Sequence, residues 1–268
     1  MEFRTIVDIE KPGFEIAPCE EILLVGSCFA DHIGRRFAEE KFRVTVNPYG
    51  TMYNPVSILH TLQRCETVPR VVFLTLGTNH VYRLRETGEI VDNCAKRPQS
   101  LFLEEELPVD ECYNFLLHAV SLLRGRRPDV HVVLTVSPIR YRKYGYHGSQ
   151  LSKATLLLAA SQLVGEDTTG HVHYFPAYEI FMDELRDYRF YAPDMLHPSE
   201  QAVDYIWERL SDSYLGAEAR QFVKEWQPLK RALAHRPFRP DSEEYQALME
   251  QTHQKIEELK NKYTTFVL

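Results

Sequence analysis

Short apolar runs alternating with amphipathic stretches are the feature that most constrains what this chain can fold into. Glu21–Gly26, Arg43–Val46, Val71–Leu76, His131–Val136 and Val172–Phe175 read as strands, the first ended by Gly26, the third by Gly77 and the fourth by Ser137-Pro138. Helical stretches lie between them. Phe29, Ile33 and Phe37 recur at i, i+4, i+8 from about Cys28, and Val56, Leu59 and Leu62 continue a stripe that begins at Pro55. Val109–Arg124 and Leu151–Val164 are helical, as is Ser199–Leu210, with Ala202, Val203, Ile206, Trp207 and Leu210 on one face. Continuous apolar strands separated by helices imply a parallel sheet covered on both faces. Val81–Val91 differs: it alternates polar and apolar residues around Glu86-Thr87-Gly88-Glu89 and reads as a hairpin. The expected fold is therefore α/β: a three-layer α/β/α sandwich with a mostly parallel sheet, a β-hairpin insertion and a C-terminal helical appendage.

The 268 residues are enough for a substantial core. A net charge of −7 gives no basic excess, so nucleic-acid binding by bulk charge is not expected. No stretch approaches the roughly 18 apolar residues of a membrane span. The first twelve residues carry Glu2, Asp8 and Glu10 and lack the apolar core of a secretory signal. Five scattered cysteines, an odd number without a C-x-x-C pair, argue against a disulfide framework and against zinc; a reducing cytoplasm fits them.

The end of the chain differs in character. Pro228–Pro240 is basic and proline-rich and reads as a linker, placing a boundary between residues 1–227 and 228–268. Asp241 is a candidate cap for a last helix running to about Tyr263. On it, Tyr245, Met249, Thr252, Ile256, Leu259 and Tyr263 form a heptad-like seam. Fewer than three heptads leave two readings open: docking on the same chain, or a homodimer contact.

In an open α/β sheet, sites form at the carboxyl ends of the strands. Here those ends carry Gly26-Ser27-Cys28, the loop to Gly50, and Gly77-Thr78-Asn79; late in the chain comes Asp194-Met195-Leu196-His197. An aspartate and a histidine three apart in a loop can fold back on each other, the carboxylate holding Nδ1–H and leaving Nε2 free as a base. A nucleophile at a strand-to-helix turn would meet that base across the sheet edge. Gly50, lacking Cβ, can bring a backbone N–H close, and the Asn79 amide is a second donor; with the nucleophile's own N–H they would form an oxyanion hole.

The string Gly26-Ser27-Cys28-Phe29-Ala30 resembles the signature of the GSCFA family, which is similar to a branch of the SGNH/GDSL hydrolase superfamily. The resemblance continues through Asn47-Pro48-Tyr49-Gly50, Leu76–Asn79, Thr135–Arg140, Ser152-Lys153-Ala154-Thr155 and Asp194–Ser199, covering about residues 15 to 215. It implies Gly50 and Asn79 as oxyanion donors and Asp194 and His197 as acid and base. It departs from the superfamily's usual Gly-Asp-Ser. Matched by position, Cys28 is the nucleophile; matched by residue type, Ser27 is. A thiol at a helix N-terminus near a histidine is expected to have its pKa lowered, whereas Ser27 has an ordinary task as helix cap.

Arg140–His147 is basic and aromatic and reads either as a solvated surface loop or as one that receives an anionic or sugar-bearing substrate; on the latter reading Arg140 and Lys153 are the candidate substrate-binding residues. His32, one turn beyond Cys28, has no third ligand nearby and reads as a half-buried polar residue, so no metal is expected. The other cysteines read as small core fillers. The expected activity is an esterase or acyltransferase acting on a small-molecule or carbohydrate acyl ester or thioester, without metal or organic cofactor. Two other readings stand beside it: an inactive scaffold of the same fold that binds a partner, and a redox role for Cys28.

Overall fold

The computed structural model describes residues 4–268. Its centre is a five-stranded, wholly parallel sheet in the order β2-β1-β3-β7-β8, formed by β1 (Glu21–Gly26), β2 (Arg43–Val46), β3 (Val71–Leu76), β7 (His131–Val136) and β8 (Val172–Tyr174). β3, at the middle, is buried along its whole length, which is why it reads as an unbroken apolar run rather than an alternating one.

Strand side chains alternate between two cores. Leu23, Val25, Val72, Leu74, Val132 and Leu134 pack under α2 (Pro55–Arg64), α3 (Val109–Arg126) and α4 (Gly145–Glu166). Ile22, Leu24, Val71, Phe73 and Val133 pack on the other face under α1 (Cys28–Glu39) and α6 (Glu200–Tyr214), with the short α5 (Ala177–Glu179) and a π-helical turn, Ile180–Glu184, beside them. These are the three expected layers. Local signals set the helix starts: Ser27 caps α1, Asn54 and Ser57 form a reciprocal capping box with Pro55 at the first turn of α2, and Ser199 caps α6.

Several boundaries differ from the sequence reading. The insertion is not a simple hairpin. β4 (His80–Leu84) pairs antiparallel with β5 (Ile90–Val91) on one side and with β6 (Phe102–Glu106) on the other. The segment Arg140–His147 is only partly loop, because a 3-10 turn at Arg142–Tyr144 leads into α4 at Gly145. The expected linker is helical as far as Ala234, since α7 (Ala217–Ala234) runs straight through Pro228. The last helix, α8 (Glu243–Lys262), is capped by Ser242 rather than Asp241.

Phe222, Trp226 and Leu229 of α7 meet Ile256, Leu259, Tyr263 and Phe266 in a third core that also encloses Cys19. The C-terminal part of the seam, Ile256, Leu259 and Tyr263, thus packs within the same chain, while Tyr245 and Met249 lie outside this core. Among the described residues, no helix is long and apolar enough to cross a membrane.

Candidate active site

The carboxyl end of β1 turns abruptly into α1. Gly26 adopts φ +144° there, and a Cβ at this position would stand 2.6 Å from Thr75 Oγ1 and closer still to the Thr75 carbonyl oxygen. Glycine is the residue that lets β1 approach β3 this closely. Asn47 braces the same corner: its Oδ1 accepts the Gly26 N–H at 2.9 Å and its Nδ2 donates to Asp31 at 3.0 Å.

Ser27 is fully buried and committed to this corner. Its N–H donates to Thr75 O, and its hydroxyl accepts from the Phe29 N–H at 3.3 Å and pairs with Thr75 Oγ1 at 3.2 Å. It serves as the cap, with no free approach to a substrate. Cys28, the first residue of α1, is half-buried. The expectation of a lowered thiol pKa is not met. Burial, reinforced by Asp31, pushes the thiol up to about 11. The N–H groups of Cys28 and Phe29 do favour the thiolate, as the helix end should, and so does Lys153, but desolvation outweighs them.

Asp194 and His197 fold onto each other as their spacing suggests. His197 Nδ1 stands 2.6 Å from Asp194 Oδ2, while Oδ1 accepts the N–H groups of Leu196 at 2.9 Å and His197 at 3.0 Å. Those two N–H groups, with the imidazole, hold the Asp194 carboxyl down to about 2. Met195 takes φ +58° to close the turn. His197 Nε2 has no hydrogen-bond partner among the described residues. The loop is tied to the strand end beside it by Arg140 N–H donating to Leu196 O at 3.1 Å. It also borders α1, where His32 feels both Glu200 and His197.

The two expected oxyanion donors are engaged elsewhere. The Gly50 N–H closes its own turn onto Asn47 O at 2.8 Å. Asn79, 3% exposed, exchanges bonds with Leu107: its Nδ2 donates to Leu107 O at 2.8 Å and its carbonyl accepts the Leu107 N–H. It staples the start of β4 to the entry of α3. Its backbone N–H is held by Ser152 Oγ at 3.1 Å, and Thr78 Oγ1 pairs with the same hydroxyl.

Lys153 is not at the surface where a substrate would meet it. It is 2% exposed, and its Nζ donates to Gly77 O at 2.6 Å. The Ser-Lys-Ala-Thr block therefore clamps the Gly77–Asn79 turn from behind, Ser152 on one side and Lys153 on the other. Arg140 stands apart, its guanidinium 3.9 Å over the Tyr191 ring at a separate cavity of about 190 Å3 that Phe181, Met182 and Tyr188 also line.

A cleft of about 260 Å3 at this end of the sheet is lined by Tyr53, Thr78, His80, Cys94, Tyr141 and Tyr144. Burial, with a smaller contribution from Cys28, pushes the hydroxyls of Tyr53 and Tyr141 up. Cys94, half-buried here, is no core filler. Tyr53, Cys94, Asn47 and Asp31 were not singled out from sequence. Asn47 lies in the Asn-Pro-Tyr-Gly block, and an asparagine directly before proline in a turn is the signal that could have found it; it takes φ +42° there. Among the described residues, no group of three His, Cys, Asp or Glu side chains is arranged to hold a metal.

The model of the GSCFA family matches residues 21–69 and 66–210. The chain belongs to the GSCFA family. The model described as GSCFA domain protein, C-terminal domain, matches residues 226–268 of this GSCFA protein. Among curated proteins, none matches its sequence. Solved structures similar to it include a member of the lipolytic protein G-D-S-L family from Veillonella parvula, at 14% identity and TM-score 0.46, covering 72% of this chain and 96% of that one. A carbohydrate esterase family 3 structure from Talaromyces cellulolyticus is 13% identical at TM-score 0.45, covering 77% and 99%. A carbohydrate esterase family 2 enzyme with a carbohydrate-binding domain, from Corynascus thermopiles, is 13% identical at TM-score 0.47, covering 75% and 67%. The α/β/α assignment of this GSCFA protein comes from its own strand order and layers.

Proposed function

We propose that this GSCFA protein is an acyl-transfer enzyme, an esterase or acyltransferase that acts on an ester or thioester of a small molecule or carbohydrate. Cys28 is the nucleophile. His197, oriented by Asp194, is the acid and base at oxygen: it protonates the leaving group and later takes a proton from water or from an acceptor hydroxyl. The observation that carries this reading is the Asp194–His197 pair, whose carboxylate is fully engaged in orienting the imidazole and whose Nε2 is left unspent. A carboxylate so arranged fixes the tautomer and stabilises an imidazolium. With the Gly50 N–H and one of the two Asn79 Nδ2 hydrogens occupied, the N–H of Cys28 at the open end of α1 is the first donor proposed for the developing oxyanion.

A second reading, an inactive pocket that only binds, draws on the same occupied donors and on the protonated thiol. Brief incubation with 4-nitrophenyl acetate, acid quench and peptide mapping separates the two. The enzyme reading expects an acetyl adduct on Cys28 that is absent from Cys28→Ala, and steady-state hydrolysis that is lost in His197→Ala. No site-specific adduct and no hydrolysis in the wild-type protein would favour the binding reading.

A further inference from the structure

Arg140 follows β7 and is half-buried. Among the described residues, no carboxylate and no backbone carbonyl accepts from its guanidinium. That group lies instead 3.9 Å over the Tyr191 ring, with the rings of Tyr146 and Tyr188 at 5.5 and 5.7 Å. Arginine carries five N–H donors in one plane. Stacked on an aromatic face it keeps its charge and the N–H groups along its edge, a fork that matches two oxygens of a carboxylate or phosphate.

The platform under this fork is itself held. The Phe181 ring meets Tyr191 edge-on at 4.8 Å, and the Tyr191 hydroxyl donates to Met182 Sδ at 3.9 Å. Arg186 and Asp187 line the same cavity. Asp187 is partly spent within its own turn: one oxygen accepts the Arg189 N–H at 2.9 Å, and the other stands 3.9 Å from Arg189 Nε. Two guanidinium groups against one engaged carboxylate make the lining positive, in a chain whose net charge is −7. The volume of about 190 Å3 lies below the roughly 300–1,000 Å3 of sites for drug-sized ligands, so it suits a sugar-sized group better than a long acyl chain. Tyr188 and Tyr146, 70% and 55% exposed, offer flat ring faces beside Arg140 on which a sugar ring can stack.

The cavity wall is bonded to the loop that carries the proposed base. Arg140 N–H donates to Leu196 O at 3.1 Å. Tyr191 bridges Pro198, through Ala192 N–H to His197 O at 2.8 Å and Ser199 N–H to Phe190 O at 2.7 Å. The wall thus grips the chain at Leu196 and at Pro198, the residues immediately before and after His197.

We propose that the Arg140 cavity binds an anionic group of the substrate, so that the ester handled at His197 is carried by an acidic sugar, one bearing a carboxylate or a phosphate. The ester chemistry rests on the acyl-transfer reading; the anion site can be tested without it. The Arg140 fork takes the anion, Tyr188 and Tyr146 take the sugar ring, and the bonded loop keeps both in a fixed relation to the imidazole. A neutral sugar would leave the fork without an acceptor.

The test is a titration of the full chain, followed by 1H–15N NMR, with three probes: glucuronate, glucose 6-phosphate and glucose. At least one of the anionic sugars is expected to bind saturably, to move the amide signals of Tyr188, Tyr191 and Leu196, and to bind about tenfold or more tighter than glucose. Glucuronate preferred over glucose 6-phosphate assigns the anion as a carboxylate, and the opposite order assigns it as a phosphate. Arg140→Gln is expected to abolish the preference for charge. Arg142→Gln, at an exposed arginine outside the cavity, is expected to leave it intact. Anionic sugars that bind no tighter than glucose, a preference that survives Arg140→Gln, or one lost equally in Arg142→Gln each overturn the proposal.

Should Arg140→Gln not fold, Tyr188→Ala changes a ring on the surface and is expected to weaken binding of the preferred acidic sugar several-fold; unchanged binding overturns the site. The two readings can fail separately. Arg140-dependent binding in a protein that forms no acetyl adduct upholds the anion site and removes the acyl-transfer reading. An adduct on Cys28 in a protein indifferent to the charge of the sugar does the reverse.

Discussion

Replacing Gly26 by alanine should damage both fold and site. The new Cβ would lie 2.6 Å from Thr75 Oγ1, 2.8 Å from the Thr75 carbonyl carbon, and nearer still to its oxygen. None of these is the end of a flexible chain, because Thr75 sits on the central strand, in register with Gly26 and bonded to Ser27 N–H at 3.0 Å. Relief requires β1 to retreat from β3 at its last residue and the α1 cap to open. Forcing an L-residue to φ +144° costs about 1–3 kcal/mol. Overpacking adds roughly 1–3 kcal/mol, and the strained hydrogen bond about 1 kcal/mol. A total of about 3–7 kcal/mol corresponds to a fall in Tm on the order of 6–28 °C for a chain of this size. Gly50→Ala is the matched control: φ there is +95°, but nothing lies within 4 Å of the new Cβ, so only conformational strain remains. Thermal unfolding by circular dichroism measures both, and Cys28 alkylation at pH 8 reports whether the thiol has moved. A Gly26→Ala protein melting within about 2 °C of wild type would refute the claim that this corner is sterically closed.

Three further outcomes follow from the same geometry. Asp194→Asn should reduce ester turnover by about a hundredfold to ten-thousandfold while leaving the melting temperature at pH 7 within a few degrees, because it mainly removes the carboxylate that orients imidazole; the stability Asp194 lends is present above pH 4 and lost as pH falls toward 2, a loss that denaturant titration should find absent in the variant. His131 and His173, whose rings meet at 3.2 Å beside Phe14, are both held down to about 4, chiefly by burial; the unfolded chain binds their protons first, so urea stability should fall between pH 6.5 and 4, and replacing both by glutamine should flatten that slope. Trp226→Ala removes a 2% exposed ring that donates to Glu39 O at 2.8 Å, at a cost of about 3–5 kcal/mol; limited proteolysis near residues 235–241 should accelerate, and unchanged cleavage would deny that the ring anchors the last helix.

The parallel sheet was legible because its strands are buried on both faces and stop at residues that turn the chain, Gly26 and Gly77 above all. The Asp194–His197 pair was legible because it is local, three residues apart with its own turn. What depended on distant partners was not. Nothing near Asn79 announces that its amide will be taken by Leu107, and the pKa of Cys28 depends on how deeply α1 sinks against β3. Lys153 is an intermediate case: it falls on the stripe with Leu156, Ala160 and Leu163, so its burial could have been read from spacing, but its charge argued for the surface. α7 was overlooked for a similar reason, with Phe222, Trp226 and Leu229 at helical spacing and Pro228 suggesting a break.

That helix has a bearing on how such chains diversify. The two family segments end at residue 210 and begin at residue 226, and Ala217–Ala234 spans the later boundary with Phe222 on one side of it and Leu229 on the other. A recombination joint at residue 226 would divide one helix between two parents, each bringing half of the residues that grip Ile256 and Phe266. Chimeras between relatives should therefore tolerate a crossover near Gly216, ahead of the helix, far better than one at the family boundary, and lineages that lose the last helix must also re-surface Phe222 and Trp226.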